Sequence, residues 1–522
     1  MTGSGILLGA FLRRDRLMVL LWSVGGMFLY WTQAFSVDGL YATQAEFDRA
    51  AASMEGNAAF IAMAGPPRAL NTIGGQVTWQ ATAFGAILAG LMSMVLVGRH
   101  TRAEEESGRD ELVRAAAIDR RAPMTAAVVV ALLANVLLGL LVAASLVAYP
   151  LAVADSVALG VGLMLCGWLF TGVALVAAQL TATTRSMYGI TGAVIGVAYV
   201  LRAVGDVGPT ALSWLSPIGW YQAMHAFSGL RWWPALLLVA AAAVTFVAAY
   251  AVFERRDSGS GVLAARPGPD RAGRGLRSAV GLAWTLHRGA VIGWTVGLGL
   301  TGLSYGAIGD EVEELMGDAG ASEMFAQGGG SLVDGFYATA AVMLALLASG
   351  YAISSALRPR AEEDAGRVEA LLATALPRRR WLLGHVAVTV GGVVAVLLAA
   401  GVGLALGYAL VTGDPAAGAR RAPPVLLYVV PVLVLSGVAR LLVGISPRLG
   451  TLAWLPLVLA VVVLLFGEVF RLPQWFQDLS PFEHVPLVPV EDFRWQPLAA
   501  LGAVALALSA AGQAAFARRD VS

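Results

Sequence analysis

The chain has 522 residues, 58% of them hydrophobic and only 13% charged, with a mean hydropathy of +0.73; soluble globular chains carry about 25% charged residues. That composition belongs in a bilayer, and the formal net charge of +1 gives a nucleic-acid partner nothing to hold. Every one of the 35 basic residues is an arginine, which excludes both a P-loop lysine on the phosphates of ATP and a lysine Schiff base.

In chain order, Ile6, Leu7, Leu8, Phe11 and Leu12 precede Arg13, Arg14, Asp15 and Arg16 and predict an interfacial helix. It leads into the first of twelve hydrophobic runs, near 17–35, whose full length and lack of a small-residue cleavage site mark a retained span rather than a signal peptide. Residues 45–61 carry Phe47, Ala51, Met54, Ala58 and Ile61 at helical spacing beside Glu46, Asp48 and Glu55, an outer amphipathic helix expected to cover an exit. The second run, 76–98, passes into a charged stretch from Arg99 to Arg121. There Ser107 is expected to cap a short helix, with Asp110 and Glu111 at its positive end and Leu112, Val113 and Ala116 as an apolar strip, leaving its carboxylates exposed. Runs near 124–149, 157–182, 187–205 and 233–253 complete the first block. The lone Cys166 reads as a buried, inert thiol. Trp214, Pro217, Trp220 and Tyr221 suggest a short structure dipping into the outer interface.

Residues 254–283, with Ser258, Gly259, Ser260, Gly261, Pro267, Gly268 and Pro269, read as a cytoplasmic linker. Leu276, Val280 and Trp284 repeat the interfacial pattern ahead of runs near 285–305, 333–357, 382–411, 424–445, 450–470 and 497–516. Asp310, Glu311, Glu313, Glu314 and Asp318 form an acidic outer loop, and Trp475, Phe476, Pro481 and Phe482 suggest another interfacial element. The expected fold is all-α and polytopic, with a first six-helix half at 1–253, a linker with its interfacial helix at 254–283 and a second six-helix half at 284–522. With both termini inside, the inner side holds 26 arginines and the outer side 8, with Arg440 inside a span, the asymmetry expected of cytoplasmic loops.

The halves repeat one another. Trp22-Ser-Val-Gly25 matches Trp294-Thr-Val-Gly297, and Leu215-Ser-Pro217 matches Leu479-Ser-Pro481. Arg102-Ala-Glu-Glu-Glu-Ser-Gly-Arg-Asp-Glu111 matches Arg360-Ala-Glu-Glu-Asp-Ala-Gly-Arg-Val-Glu369 at seven of ten positions. A tandem duplication of six spans keeps both copies in one orientation and encloses one path between them. Arg102, Glu104, Glu105, Gly108, Arg109 and Glu111, with Arg360, Glu362, Glu363, Gly366, Arg367 and Glu369, read as paired docking stations for a symmetric cytosolic partner; the plainer reading is a solvated loop preserved by duplication. For a substrate path, Trp22, Phe28, Tyr30 and Phe84, then Trp294, Tyr305, Phe336, Tyr337 and Met343, suit a hydrophobic ligand; for any one of them packing or bilayer contact is the simpler account. Ionisable groups in the spans reduce to Arg440, His385 and Glu468 near span ends, read as snorkelling groups with no proton relay. The five histidines lack metal-ligand spacing and no Gly-x-Ser-x-Gly elbow occurs.

On the paired Arg-Ala-Glu-Glu stretches, the interfacial helices before spans one and seven and the Leu-Ser-Pro turns, the chain resembles ABC-2-type permeases of the polyketide-antibiotic exporter group, which includes tetronasin-type and mycobacterial multidrug exporters. The resemblance covers essentially the whole chain. It implies coupling helices at 99–121 and 358–380, two copies of a separately encoded ATP-binding subunit beneath them that carry ATP and Mg, and export of hydrophobic antibiotics or drugs. The chain itself would bind no cofactor, and would be a transport subunit rather than an enzyme. A proton-coupled major-facilitator antiporter would also have six plus six spans, but its Gly-x-x-x-Asp-Arg-x-Gly-Arg-Arg loop is not what Gly98 to Arg109 spells. A lipid-linked glycosyltransferase would use acids such as Asp38, Glu46 and Asp48 in its first outer loop, and has no need of a duplication.

Overall fold

A computed structural model describes residues 3–41, 43–55, 58–109, 111, 115–256, 261–263, 271, 273–308, 332–466 and 472–519. Among these the chain is helical without strands, and twelve helices are long and apolar enough to cross a membrane. The protein is a multi-pass membrane protein. Contacts divide it into two compact units, Met1–Pro267 and Gly268–Ser522, and six candidate spans fall in each. The predicted acidic loop at Asp310 to Asp318, linker residues Ser258, Gly259, Ser260, Pro267, Gly268 and Pro269, and Asp110, Leu112, Val113 and Glu468 lie outside the described residues.

The first unit runs α1 (Ser4–Asp38), α2 (Gln44–Glu55), α3 (Ala58–Ala64), α4 (Ile73–His100), α5 (Arg102–Glu106), α6 (Ala122–Ala148), α7 (Val153–Leu180), α8 (Thr184–Val207), a 3-10 turn (Thr210–Leu215), α9 (Pro217–Gln222) and α10 (Trp233–Arg255). The expected interfacial helix and first span are thus one helix, because nothing in Arg13–Arg16 breaks helical backbone. The outer segment 45–61 forms two helices, α2 and α3, with Phe47 and Ala51 buried as the spacing predicts. α4 and α7 are largely buried while α1, α8 and α10 flank them. Leu17, Leu20 and Leu21 on α1 and Val197, Val200 and Val204 on α8 face outward, as a lipid-facing belt requires. At the core, Asn135 donates to Ser93 Oγ (2.9 Å), which donates to the Gly167 carbonyl (3.0 Å); hydrogen bonds of this kind join helices where the hydrophobic effect does not.

The second unit runs α11 (Ala279–Ile308), α12 (Leu332–Ala356), α13 (Arg358–Asp364), α14 (Arg367–Leu372), α15 (Arg378–Thr412), α16 (Pro415–Leu427), α17 (Val429–Ile445), a 3-10 segment (Pro447–Trp454), α18 (Leu455–Phe466), α19 (Gln474–Gln477) and α20 (Trp495–Arg518). Val280 and Trp284 lie within α11, so that part of the second interfacial segment is fused to its span, whereas Leu276 lies in a separate 3-10 turn, Arg274–Arg277. The tenth span begins at Pro415, earlier than the hydropathy run, and breaks between Leu427 and Val429. Pro431 accounts for the break, since its ring meets the carbonyl four residues back and it donates no amide. α11 and α15 pack backbone to backbone through Gly302 and Gly306 on one and Gly403 and Gly407 on the other; a Cβ at any of these would strike a facing carbonyl. Small residues four apart permit such an approach in a membrane.

Candidate coupling turns

At the arginine-rich end of the first unit, Thr101 takes φ −120° and ψ −89° and breaks α4 from α5. Gly108, at φ +72°, ends the turn in a backbone conformation that costs glycine little. Ser107 closes α5 at its C-terminal end, and beyond Gly108 the chain is helical again at Arg109 and Glu111, where the sequence places a short helix.

Glu104 and Glu105 of α5 point into the protein, while Glu106 is exposed. Glu104 pairs with Arg14 of α1 (2.5 Å) and with Arg109 across Gly108 (3.0 Å). Glu105, with 10% of its side chain exposed, accepts from Arg102 (2.7 Å) and from Arg256 at the end of α10 (2.5 Å). Arg256 also donates to Gln179 of α7 (2.8 Å), and Arg102 donates to the Ala178 carbonyl. Glu106 accepts from the amide (3.0 Å) and hydroxyl (2.7 Å) of Thr184, at the start of α8. One five-residue helix is thereby tied to α1, α7, α8 and α10.

The second unit repeats the arrangement 258 residues on. Gly366 has φ +68°, and across it Glu362 pairs with Arg367 (2.7 Å), an interaction that raises the basicity of the Arg367 guanidinium. Glu363, 3% exposed, pairs with Arg519 at the end of α20 (2.6 Å), as Glu105 does with Arg256. Arg358 adds a contact to Glu362 (3.3 Å) and Arg378 donates to the Arg519 carbonyl (2.8 Å). The expectation of exposed carboxylates is corrected here: Glu104, Glu105, Glu362 and Glu363 are consumed by internal ion pairs, and Glu111 and Glu369 remain exposed. Sequence reading missed Arg256 and Arg519. The signal was present, for Phe253-Glu-Arg-Arg-Asp257 and Phe516-Ala-Arg-Arg-Asp520 both end a sixth span, and each arginine stands over its phenylalanine ring, at 5.8 and 5.1 Å.

Above the turns the units differ. In the first, Asp15 is fully buried against His100, with Arg99 at 3.1 Å. Position 287 corresponds to Asp15 by the 272-residue offset of the tryptophan motif, and there His287 bonds His385 (2.9 Å) and Ser355 (2.9 Å). The helices thus bury Asp15, His100 and His287 as well as His385; Asp15 and His100 lie beyond the hydropathy runs at 17–35 and 76–98 because α1 begins earlier and α4 ends later than those runs.

The predicted path residues separate. Phe28 and Phe84 lie on the open surface of their unit, and Trp22, Trp294, Tyr305 and Met343 are half-buried. Tyr30 and Tyr337 are interior: Tyr30 meets Tyr221 Oη (3.2 Å), and Tyr337 donates to the Gly306 carbonyl (2.9 Å) beneath Arg421. At the opposite end of the first unit, a cavity of about 840 Å³ opens among Asp38, Tyr41, Phe47, Asp155, Phe227 and Leu230, partly under α2. Among the described residues no group of three or more His, Cys, Asp or Glu side chains is placed to hold a metal ion.

The family model for the C-terminal domain of the multidrug efflux system permease Rv1217c matches residues 276–517. The chain is also 38% identical, over 528 aligned positions covering all of it and 95% of the relative, to the multidrug efflux system permease protein Rv1217c of Mycobacterium tuberculosis (strain ATCC 25618 / H37Rv).

Proposed function

The chain belongs to the family of the multidrug efflux system permease Rv1217c, and from that premise we propose that it is the membrane subunit of an ATP-driven ABC-2-type exporter of hydrophobic drugs or antibiotics, with six spans per half and both termini cytoplasmic. ATP and Mg are handled by two copies of a separate ATP-binding subunit. The observation that carries this reading is the repeated turn. A short helix tied by ion pairs to the ends of other spans, once in each unit, is a lever through which an external push would move those helices together. The exposed Glu111 and Glu369 and the arginines Arg109 and Arg367, rather than the buried glutamates, are the groups offered to the partner. The absence of lysine agrees with hydrolysis taking place elsewhere, and the 840 Å³ cavity suits a release vestibule.

The buried Asp15–His100 and His287–His385 pairs favour a second reading, a proton-coupled antiporter, since ionisable groups inside membranes mark proton paths. One reconstitution separates the two. Vesicles holding the chain with its gene-neighbour P-loop ATPase are expected to hydrolyse ATP and export a hydrophobic fluorescent dye even after an ionophore collapses the proton gradient. Hydrolysis by the partner-free chain, or export driven by a gradient without ATP, overturns the proposal.

A further inference from the structure

Arg440 sits in α17 within a candidate span, and its side chain reaches only hydroxyls: Ser509 (2.7 Å) and Ser436 (3.0 Å). Among the described residues no carboxylate pairs with it. An arginine at bilayer depth is costly unless a counter-charge or water reaches it, and among the described residues this one is met by hydroxyls alone, which leaves its charge open to an anionic ligand. A second observation points into the same space. His385, 3% exposed, uses Nδ1 to meet His287 Nε2 (2.9 Å), while its own Nε2 is buried and has no hydrogen-bond partner.

Both side chains line one cavity of the second unit, together with the hydroxyl-bearing Ser355 and Thr389 and the apolar Leu382 and Val443. Its volume of about 30 Å³ corresponds to roughly two water-sized groups, the size of the two oxygens of a carboxylate or the non-bridging oxygens of a phosphodiester. Arg440 is five residues from the end of α17 at Ile445, so about 7 Å along the axis, a depth to which a headgroup at the arginine-rich surface can reach.

We propose that this cavity is a binding site for the oxyanion head of an amphiphile, held by Arg440 and His385, with the apolar body lying along Leu382, Val443 and their neighbours. Such a head arrives either on an anionic phospholipid of the surrounding leaflet or on a hydrophobic carboxylic acid presented for export. The second source rests on the transport reading; the site itself does not, and binding is measured without ATPase or transport.

The test uses the full chain in nanodiscs of phosphatidylcholine, into which phosphatidylglycerol is titrated in one arm and oleate in the other, with thermal stabilisation and native mass spectrometry as readouts. Wild type is expected to bind at least one probe saturably, Arg440→Gln to bind about tenfold more weakly, and Arg440→Lys to retain part of the affinity. The exposed Arg379→Gln should bind as wild type does. His385→Phe, which keeps Arg440, should weaken binding less than Arg440→Gln and serves if the glutamine variant does not fold. Saturation by phosphatidylglycerol alone identifies a lipid site, and by oleate alone a site for hydrophobic acids. Equal binding by wild type, Arg440→Gln and His385→Phe, or an equal loss in Arg379→Gln, overturns the assignment.

Discussion

Glu105 and Glu104 are chain neighbours with different surroundings, and that difference is measurable. Glu105 faces Arg102, 1% exposed, and Arg256, 4% exposed, whereas Glu104 pairs with Arg14, 36% exposed. Removing one member of a buried pair costs about 3 kcal/mol, against roughly 0–1 kcal/mol for a surface pair. Glu105→Gln is therefore expected to lower the melting temperature in detergent markedly and Glu104→Gln hardly at all; equal effects would show that the Glu105 cluster is not buried in the working protein. A second residue sets a pH dependence. His225 lies in the turn between α9 and α10, where burial, with Arg68 and Arg231 nearby, lowers its pKa from 6.5 to about 4. Between those values the unfolded chain takes up a proton that the folded protein refuses, so this site's contribution to stability is lost as pH falls from 6.5 towards 4. Its φ of +52° is one that asparagine tolerates. His225→Asn is expected to flatten the dependence of melting temperature on pH across that window, and an unchanged slope would remove His225 as its source.

Between elements, the α11–α15 contact makes the sharpest demand on sequence. Gly302 faces the Ala400 carbonyl and Gly403 faces the Gly299 carbonyl, so neither position has room for a side chain. Gly302→Val must push the helices apart, at about 1–3 kcal/mol or more for an overpacked contact. Gly293, on the same helix, has open space where a Cβ would stand, with nothing within 4 Å, and Gly293→Val provides the comparison. The expected result is loss of monodisperse protein on size-exclusion chromatography for Gly302→Val and an unchanged profile for Gly293→Val. The turns α5 and α13 owe their shape to a different use of glycine, the positive φ of Gly108 and Gly366, which lets the chain double back so that Glu104 meets Arg109 and Glu362 meets Arg367.

For the molecule as a whole, the two units share a scaffold and diverge in charge. Both have a glutamate–arginine pair across a left-handed glycine and a second glutamate held by the arginine that ends the last span. One then places a carboxylate, Asp15, where the other places an imidazole, His287, and the second unit carries the Arg440 cavity. If the turns serve the coupling proposed above, both units are held to the same turn geometry. Away from the turns the two units carry different charged groups, which is the setting of the oxyanion site proposed for the second.

Spans, their approximate limits and the repeated acidic turns were legible in the sequence, since hydropathy over about 20 residues and a seven-in-ten repeat are local signals. Helix ends were less so: the charged residues Arg13 to Arg16 lower hydropathy without stopping a helix, which concealed the burial of Asp15. Tertiary structure alone decided which carboxylates face solvent. Glu105 and Glu369 look alike in the chain, but one meets Arg256, 151 residues away, and the other meets solvent. It also decided that Tyr30 and Tyr337 pack inside while Phe28 and Phe84 do not. Pattern fixes which segments enter the bilayer, because transfer from water depends on each segment's own composition; the partner of a buried charge depends on which distant helix ends the fold brings together.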